Sequence, residues 1–167
     1  ALEAAQQHYQ LAVRLSEERY PLDDVRRHAP VNNLAMVLAE RGDMAGAEVL
    51  HRSVLADRER VLGEDHPSTA VSLMNLATVV SANGELDEAR SLTQRALEIY
   101  QKKAGANSAE TGQAHHQLGE ILRRMNRVNE SIPHLERALH VFRGAVGDLH
   151  ATTLQCMDVL AEALTDA

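Results

Sequence analysis

The amino-acid sequence predicts an all-α fold, a solenoid of stacked antiparallel helix hairpins. Three observations predict this class: identical residues recur at a spacing of 42 positions, the apolar residues between them follow helical spacing, and few aromatic side chains are available for the core. Of the 167 residues, 44% are apolar but only 2% are aromatic. The core must therefore be built from aliphatic and small side chains, which suits closely packed helices.

The repeat is visible as identities at one offset. Residues of the same type recur three or four times each, at Leu34, Leu76, Leu118 and Leu160, at Thr69, Thr111 and Thr153, and at Gly63, Gly105 and Gly147. Chance does not place so many identities at one spacing, so the chain is an array of similar units. Such units cannot bury their apolar faces alone, and they stack on one another.

Each unit reads as a helix A, a tight turn, a longer helix B and a connecting loop. An apolar stripe at helical spacing is clearest over residues 73–80, and a second follows over residues 86–97. Between the two stripes of each unit the pattern is broken by Gly42, Gly84 and Asn126.

The elements follow in order. We expect a first helix over about residues 1–18, hairpins over about 25–62, 67–104 and 109–146, and a last helix over about 150–165. In terms of repeats, this predicts helix B of a truncated repeat at 1–24, complete repeats at 25–66, 67–108 and 109–149, and helix A of a truncated repeat at 150–167. The whole chain is predicted to be one domain of about seven helices.

Two stretches carry a resemblance to a known family. Residues 62–70 read Leu-Gly-Glu-Asp-His-Pro-Ser-Thr-Ala and lead into Leu-Met-Asn-Leu-Ala at 73–77, while residues 31–35 read Val-Asn-Asn-Leu-Ala. This combination resembles the tetratricopeptide repeats of the kinesin light chain type. The resemblance covers essentially the whole chain. It implies a right-handed superhelical stack and a protein-interaction module, an adaptor or scaffold that holds a partner segment in a concave groove lined by the A helices.

The resemblance also implies which side chains face that groove. The residue just before the Leu-Ala or Leu-Gly pair of each helix A points into it, and these residues are Asn33, Asn75 and Gln117. A primary amide offers a donor and an acceptor, which suits the alternating N–H and C=O groups of an extended peptide. That these amides only bond neighbouring helices stays open as the alternative.

Neighbouring groove positions follow by the same offset. The predicted set that selects side chains of the ligand is Asn32, Met36, Met74, Thr78, His116, Glu120 and Arg124. A methionine here is an adaptable apolar floor or simply packing between repeats. Arg123 and Arg124 are candidates for reading a carboxylate of the ligand, or a solvated pair near the turn. Because Glu120, Asp158 and Glu162 are acidic, a neutral or mixed-charge ligand is favoured over an acidic one.

Composition and motifs exclude several function classes. The net charge of −7 argues against nucleic-acid binding and against docking on an anionic membrane. The nine histidines show neither a metal-binding motif nor an i, i+4 pair, and no catalytic motif is present, so we expect no metal, no cofactor and no enzymatic activity. His66 and His150 recur at the repeat period and are predicted to be structural, in contact with a turn or with the start of a helix.

The remaining expectations concern context. The lone Cys156 fits a reducing compartment, so we expect a cytoplasmic protein. The chain begins in mid-pattern and without Met, which indicates a piece of a longer protein. Two other functions stay open: a structural scaffold that self-associates through the terminal helix (Leu154, Met157, Leu160 and Leu164), and a regulatory segment of a larger signalling enzyme.

Overall fold

The computed structural model describes residues 2–22 and 24–167. These residues form eight α-helices and one short 3-10 helix, with no strand among them, so the predicted all-α class is confirmed. The count is eight rather than the predicted number of about seven, although the predicted elements, two single helices and three hairpins, themselves add up to eight. The described chain divides after Gly84 into two compact units, unit 1 and unit 2.

Unit 1 contains the first four α-helices. They are α1 (Leu2–Arg19), α2 (His28–Glu40), α3 (Met44–Leu62) and α4 (Pro67–Ala82), with the 3-10 helix (Val25–Arg27) leading into α2. Each helix packs on the next. Ala35 of α2, Ala47 of α3 and Val79 of α4 form one buried cluster. Because two of these side chains are alanines, the three helices approach closely at this point.

Unit 2 contains α5 (Leu86–Lys103), α6 (Ala109–Arg124), α7 (Val128–Val146) and α8 (Ala151–Asp166). α6 lies between α5 and α7, and α8 packs on α7 and touches α6. Two glycines of α6 permit its close contact with α7: a Cβ at Gly119 would lie 2.6 Å from Cγ of Leu135, and one at Gly112 would lie 2.8 Å from Cγ1 of Val141. The close contact between α6 and α7 therefore depends on having glycine, with no side chain, at these two positions.

The turns within the hairpins need a left-handed residue. Gly42, between α2 and α3, has a φ of 86°, and Asn126, between α6 and α7, has a φ of 59°. Glycine reaches this region without strain, and asparagine is among the few other residues that tolerate it. This explains why a Gly or Asn interrupts the apolar pattern at this point of each unit.

The loops before the A helices are closed by one repeated hydrogen bond, the loop staple. The Oγ1 hydroxyls of Thr69, Thr111 and Thr153 donate to the carbonyls of Gly63, Gly105 and Gly147, each at 2.8 Å. All three threonines are fully buried, so the staple also satisfies polar groups away from water.

Histidines cap two of these A helices. Nδ1 of His66 accepts from the N–H of Ser68 at 3.0 Å, and Nδ1 of His150 accepts from the N–H of Thr152 at 3.3 Å. In α6 the same role falls to Ser108, whose Oγ accepts from the N–H of Thr111 at 3.1 Å. The prediction that His66 and His150 contact helix starts is confirmed, and their periodicity is structural.

Candidate functional site

The candidate amides of unit 1 lie at the edge of the buried core. Asn33 of α2 is exposed and Asn75 of α4 is half-buried. Each directly precedes a buried pair of residues, Leu34 and Ala35 in α2 and their counterparts in α4. Since adjacent helix positions point in different directions, burial of the Leu-Ala pair turns the preceding amide towards the outer side of the helix.

The other candidates of unit 1 flank these amides. Met36 is 54% exposed, while Met74 is half-buried. Thr78 is exposed, and its Oγ1 donates to the carbonyl of Met74 at 3.1 Å. Oδ1 of Asn32 lies 3.2 Å from Nδ1 of His51 on α3. None of the six candidates in unit 1 carries a charge.

The candidates of unit 2 lie on one helix, α6. Gln117 is half-buried and precedes the buried Leu118. Nδ1 of His116 lies 3.6 Å from an Oε of Glu120, one helical turn later. Burial lowers the pKa of His116, and the Glu120 carboxylate opposes that shift. Arg124, at the end of the helix, is exposed.

Arg123, which the sequence offered together with Arg124 as a reader of ligand carboxylates, is bound by acidic residues of α8. Its guanidinium lies 2.9 Å from Oε2 of Glu162 and 3.8 Å from Oδ2 of Asp166. These ion pairs are made to residues about forty positions later in the chain, which local helix spacing does not reveal. Arg123 therefore ties α6 to α8.

The structure thus groups the ten candidates by unit. Asn32, Asn33 and Met36 lie on α2, and Met74, Asn75 and Thr78 lie on α4, two helices that meet in the buried cluster of unit 1. His116, Gln117, Glu120 and Arg124 share α6 of unit 2. The candidates of unit 1 offer amides, a hydroxyl and apolar side chains, whereas those of unit 2 also offer charges of both signs.

A histidine pair that the sequence did not predict joins α6, the helix that carries the candidates of unit 2, to α7. Nδ1 of His115 on α6 and Nδ1 of His134 on α7 are 2.9 Å apart, and the ring centroids are 5.1 Å apart. Burial lowers the pKa of His115 to about 4, with His134 and then Arg137 adding to the shift. Burial also lowers the pKa of His134, against the opposing effect of Glu130. The 42-residue repeat period does not predict such a pair.

Sites of other kinds are few in the part of the chain that is described. Residues 2–22 and 24–167 contain no group of three or more His, Cys, Asp or Glu side chains arranged to hold a metal ion. No helix formed by these residues has the length and apolar character needed to cross a membrane. Cys156 is fully buried, and burial raises the pKa of its thiol to about 11, so it is a poor nucleophile.

Comparison with known proteins is informative at the level of fold and family. A family model of the tetratricopeptide repeat matches residues 27–102 and 110–167. A crystal structure of a kinesin light chain protein with nearly identical TPR-like repeats, from Podosopora anserina, superposes with a TM-score of 0.82 at 22% identity, covering 99% of this chain and 78% of that one. BtubC (BKLC) from P. vanneervenii superposes with a TM-score of 0.83 at 20% identity, covering 99% of this chain and 66% of that one.

No curated protein sequence matches this chain. At 20–22% identity the structural likeness concerns the fold alone, and the family rests on the repeat model. Repeats of this family are protein-interaction modules and scaffolds rather than enzymes. Because the matched residues make up most of the sequence, the chain belongs to the tetratricopeptide repeat family, with the fold of kinesin light chain-type repeats.

Proposed function

We propose that the chain is an adaptor that binds an extended segment of a partner protein along the exposed sides of its A helices, the sides that the family resemblance assigns to the concave groove. The observation that carries this proposal is the placement of Asn33 and Asn75: one primary amide per repeat, on the outer edge of the helix, just before the buried residue pair. Gln117 holds the same place in unit 2. Each amide offers a donor and an acceptor to a peptide backbone.

The charges of the two units support a neutral or mixed-charge segment. The six candidate residues of unit 1 are uncharged, and the exposed thioether of Met36 suits an apolar side chain of variable shape. In unit 2, Arg123 is held by Glu162 and Asp166, which leaves less positive charge for an acidic ligand. A strongly acidic peptide would lose hydration at these six residues without gaining an ion pair with any of them.

The test compares the wild-type chain with an Asn33→Ala/Asn75→Ala/Gln117→Ala variant. The matched control is Gln7→Ala/Gln94→Ala/Gln101→Ala, which removes three exposed amides from B helices. Both variants are first checked for helicity by circular dichroism. Peptides are then selected from a random library on the wild type, and partners are captured from a whole-cell lysate.

Ligands that bind the wild type and the control but not the triple variant support the proposal. Ligands that bind all three proteins equally would place binding elsewhere on the chain and overturn it. Selection of uncharged or mixed-charge sequences over acidic ones would support the proposed ligand class.

A second candidate function, assembly through the last helix, is favoured by one observation. Leu154, Met157 and Leu164 of α8 are between 36% and 57% exposed. Leu160 instead packs against the buried cluster around Phe142. If this face pairs with another chain, light scattering will show a mass that rises with concentration, and Leu154→Gln/Leu164→Gln will abolish the rise. A constant monomer mass counts against assembly.

We also propose a cytoplasmic location. Cys156 is a buried free thiol, which is stable in a reducing compartment. Fractionation of cells that express the intact parent protein tests this point.

A further inference from the structure

A buried imidazole on the neighbouring helix forms a hydrogen bond with the amide of Asn32. His51 of α3 is 3% exposed, and its Nδ1 lies 3.2 Å from Oδ1 of Asn32 on α2. A carboxamide oxygen has no proton to give, so Nδ1 of His51 must carry the hydrogen and donate it. The Oδ1 atom of Asn32 therefore accepts a hydrogen bond from inside the protein and points away from a ligand.

The other repeats show that building this fold does not require such a pair. At the repeat spacing, the position of His51 is occupied by Thr93 and Leu135, and both are fully buried. Thr93 returns its hydroxyl to the carbonyl of Ala89 in its own helix, at 2.8 Å. The position of Asn32 is occupied by Met74 and His116. Among the three complete repeats, the first one alone therefore combines an imidazole on helix B with an amide on helix A at these two positions.

The imidazole is costly to protonate at this position. Burial without a charged partner lowers the pKa of His51, because the neutral form is favoured away from water. A threonine or a leucine would fill the same space without that cost, as the sister repeats do. A buried polar pair in place of an apolar contact indicates a role in setting the orientation of a side chain.

We propose that His51 is a positioning residue that fixes the amide of Asn32 as a donor towards the bound segment. This inference rests on the proposed function. With Oδ1 turned inward, the Nδ2 group presents its two hydrogens outward and pairs with a carbonyl oxygen of the partner. A peptide N–H group of the partner placed opposite the Nδ2 group of Asn32 would find no acceptor.

The consequence is a rule for register. Along an extended peptide, N–H and C=O groups alternate in direction. The exposed Asn33 can satisfy either group by rotating its amide, but Asn32 accepts only a carbonyl. Asn32 and His51 together therefore select the register of the segment, while Asn33 contributes affinity in either register.

The first test needs no ligand. Nitrogen-15 spectra of the free chain at neutral pH report which ring nitrogen of His51 is protonated. We expect the Nδ1–H tautomer, the less common one for a neutral histidine. An Nε2–H tautomer of His51 would overturn the assignment.

The second test uses the peptides selected on the wild-type chain. His51→Leu, which copies Leu135 of the sister repeat, removes the donor but keeps an apolar filling. His51→Asn restores a donor, because the Asn Nδ2 occupies nearly the place of the His Nδ1. Asn32→Asp keeps the acceptor for His51 but removes the two outward hydrogens.

We expect His51→Leu and Asn32→Asp to weaken peptide binding by about 5- to 10-fold, the effect of one hydrogen bond, and His51→Asn to stay within about 2-fold of the wild type. Equal affinities for His51→Leu and the wild type would overturn the positioning role even if Asn33 and Asn75 prove essential. If binding does not depend on Asn33 and Asn75, the proposed function itself fails, and the role of the pair in recognition fails with it.

Discussion

His115 and His134 share one proton between their Nδ1 atoms, which lie 2.9 Å apart. One nitrogen must carry the hydrogen and the other the lone pair, so the two rings adopt different tautomers. The bond joins α6 to α7 inside unit 2. Besides the partner ring, the charged groups that act on the pair are Arg137, near His115, and Glu130, near His134.

Five buried or partly buried histidines, this pair among them, predict that the fold loses stability in mild acid. Burial is the main cause of a lowered pKa at five histidines: His28, His51, His115, His116 and His134. Since a histidine of the unfolded chain titrates near 6.5, these groups support the fold fully above about pH 6.5. Their contribution is lost as the pH falls towards about 4, the pKa of His115. We expect the melting temperature to fall by at least about 5 °C over that window.

The variant His115→Leu/His134→Leu tests the contribution of the pair, since the period places Leu73 and Leu92 at these positions in the preceding repeat. Its melting temperature should depend less on pH between 6.5 and 4 than that of the wild type. His140→Gln, at an exposed position of α7, is the control. Unchanged pH dependence in the double variant would contradict the role of the pair.

Two glycines of unit 2 predict opposite effects of the same substitution. Gly119→Ala places a methyl group 2.6 Å from Cγ of Leu135, so the Leu135 side chain or the two helices must shift, at a cost of about 1–3 kcal/mol. Gly144→Ala, inside α7, meets no atom within 4 Å and should stabilise the helix by about 0.5–1 kcal/mol. Urea denaturation measures both values, and effects of the same sign would refute the predicted close approach.

The loop staple predicts a specific cost for losing a hydroxyl. Thr111→Val keeps the shape of the side chain but leaves the Gly105 carbonyl without its 2.8 Å bond. We expect the free energy of unfolding to decrease by about 1–3 kcal/mol. Thr165→Val, which removes an exposed hydroxyl near the end of α8, should change it by less than about 0.5 kcal/mol. Similar losses for both variants would show that the valine, not the missing bond, is responsible.

The packing of helix B in unit 2 predicts a large effect of truncation. Leu97 of α5 is 4% exposed, and Leu97→Ala should cost about 2–5 kcal/mol through lost contacts and a residual cavity. Leu164→Ala, at a site that is 57% exposed, removes the same atoms with little burial and serves as the control. A melting temperature unaffected by Leu97→Ala would contradict the position of Leu97 in the core.

The regular features of the fold were predictable because they recur. The 42-residue period and the apolar stripes predicted hairpins over 67–104 and 109–146, and the helices of these stretches begin and end within one residue of those limits. The start of the first complete repeat was less predictable. Its first residues form the 3-10 helix Val25–Arg27, capped by the carboxylate of Asp24. Local capping decides this feature, and the period does not encode it.

The candidate site was predictable only as far as single helices determine it. Helix spacing and the family resemblance placed Asn33 and Met36 on a side of α2 that proves exposed. The same reasoning missed the attachment of Arg123 to α8 and the support of Asn32 by His51. These contacts join different helices and occur in one repeat each, so neither periodicity nor local spacing reveals them.

The loop staple also limits where this chain can change length. A hydroxyl reaches back six positions to a carbonyl in three successive loops, which makes the number of intervening residues a fixed dimension. One inserted or deleted residue between Gly105 and Thr111 would carry the hydroxyl away from its acceptor and rotate the start of α6. The stapled loops should therefore keep a constant length wherever the repeat is copied.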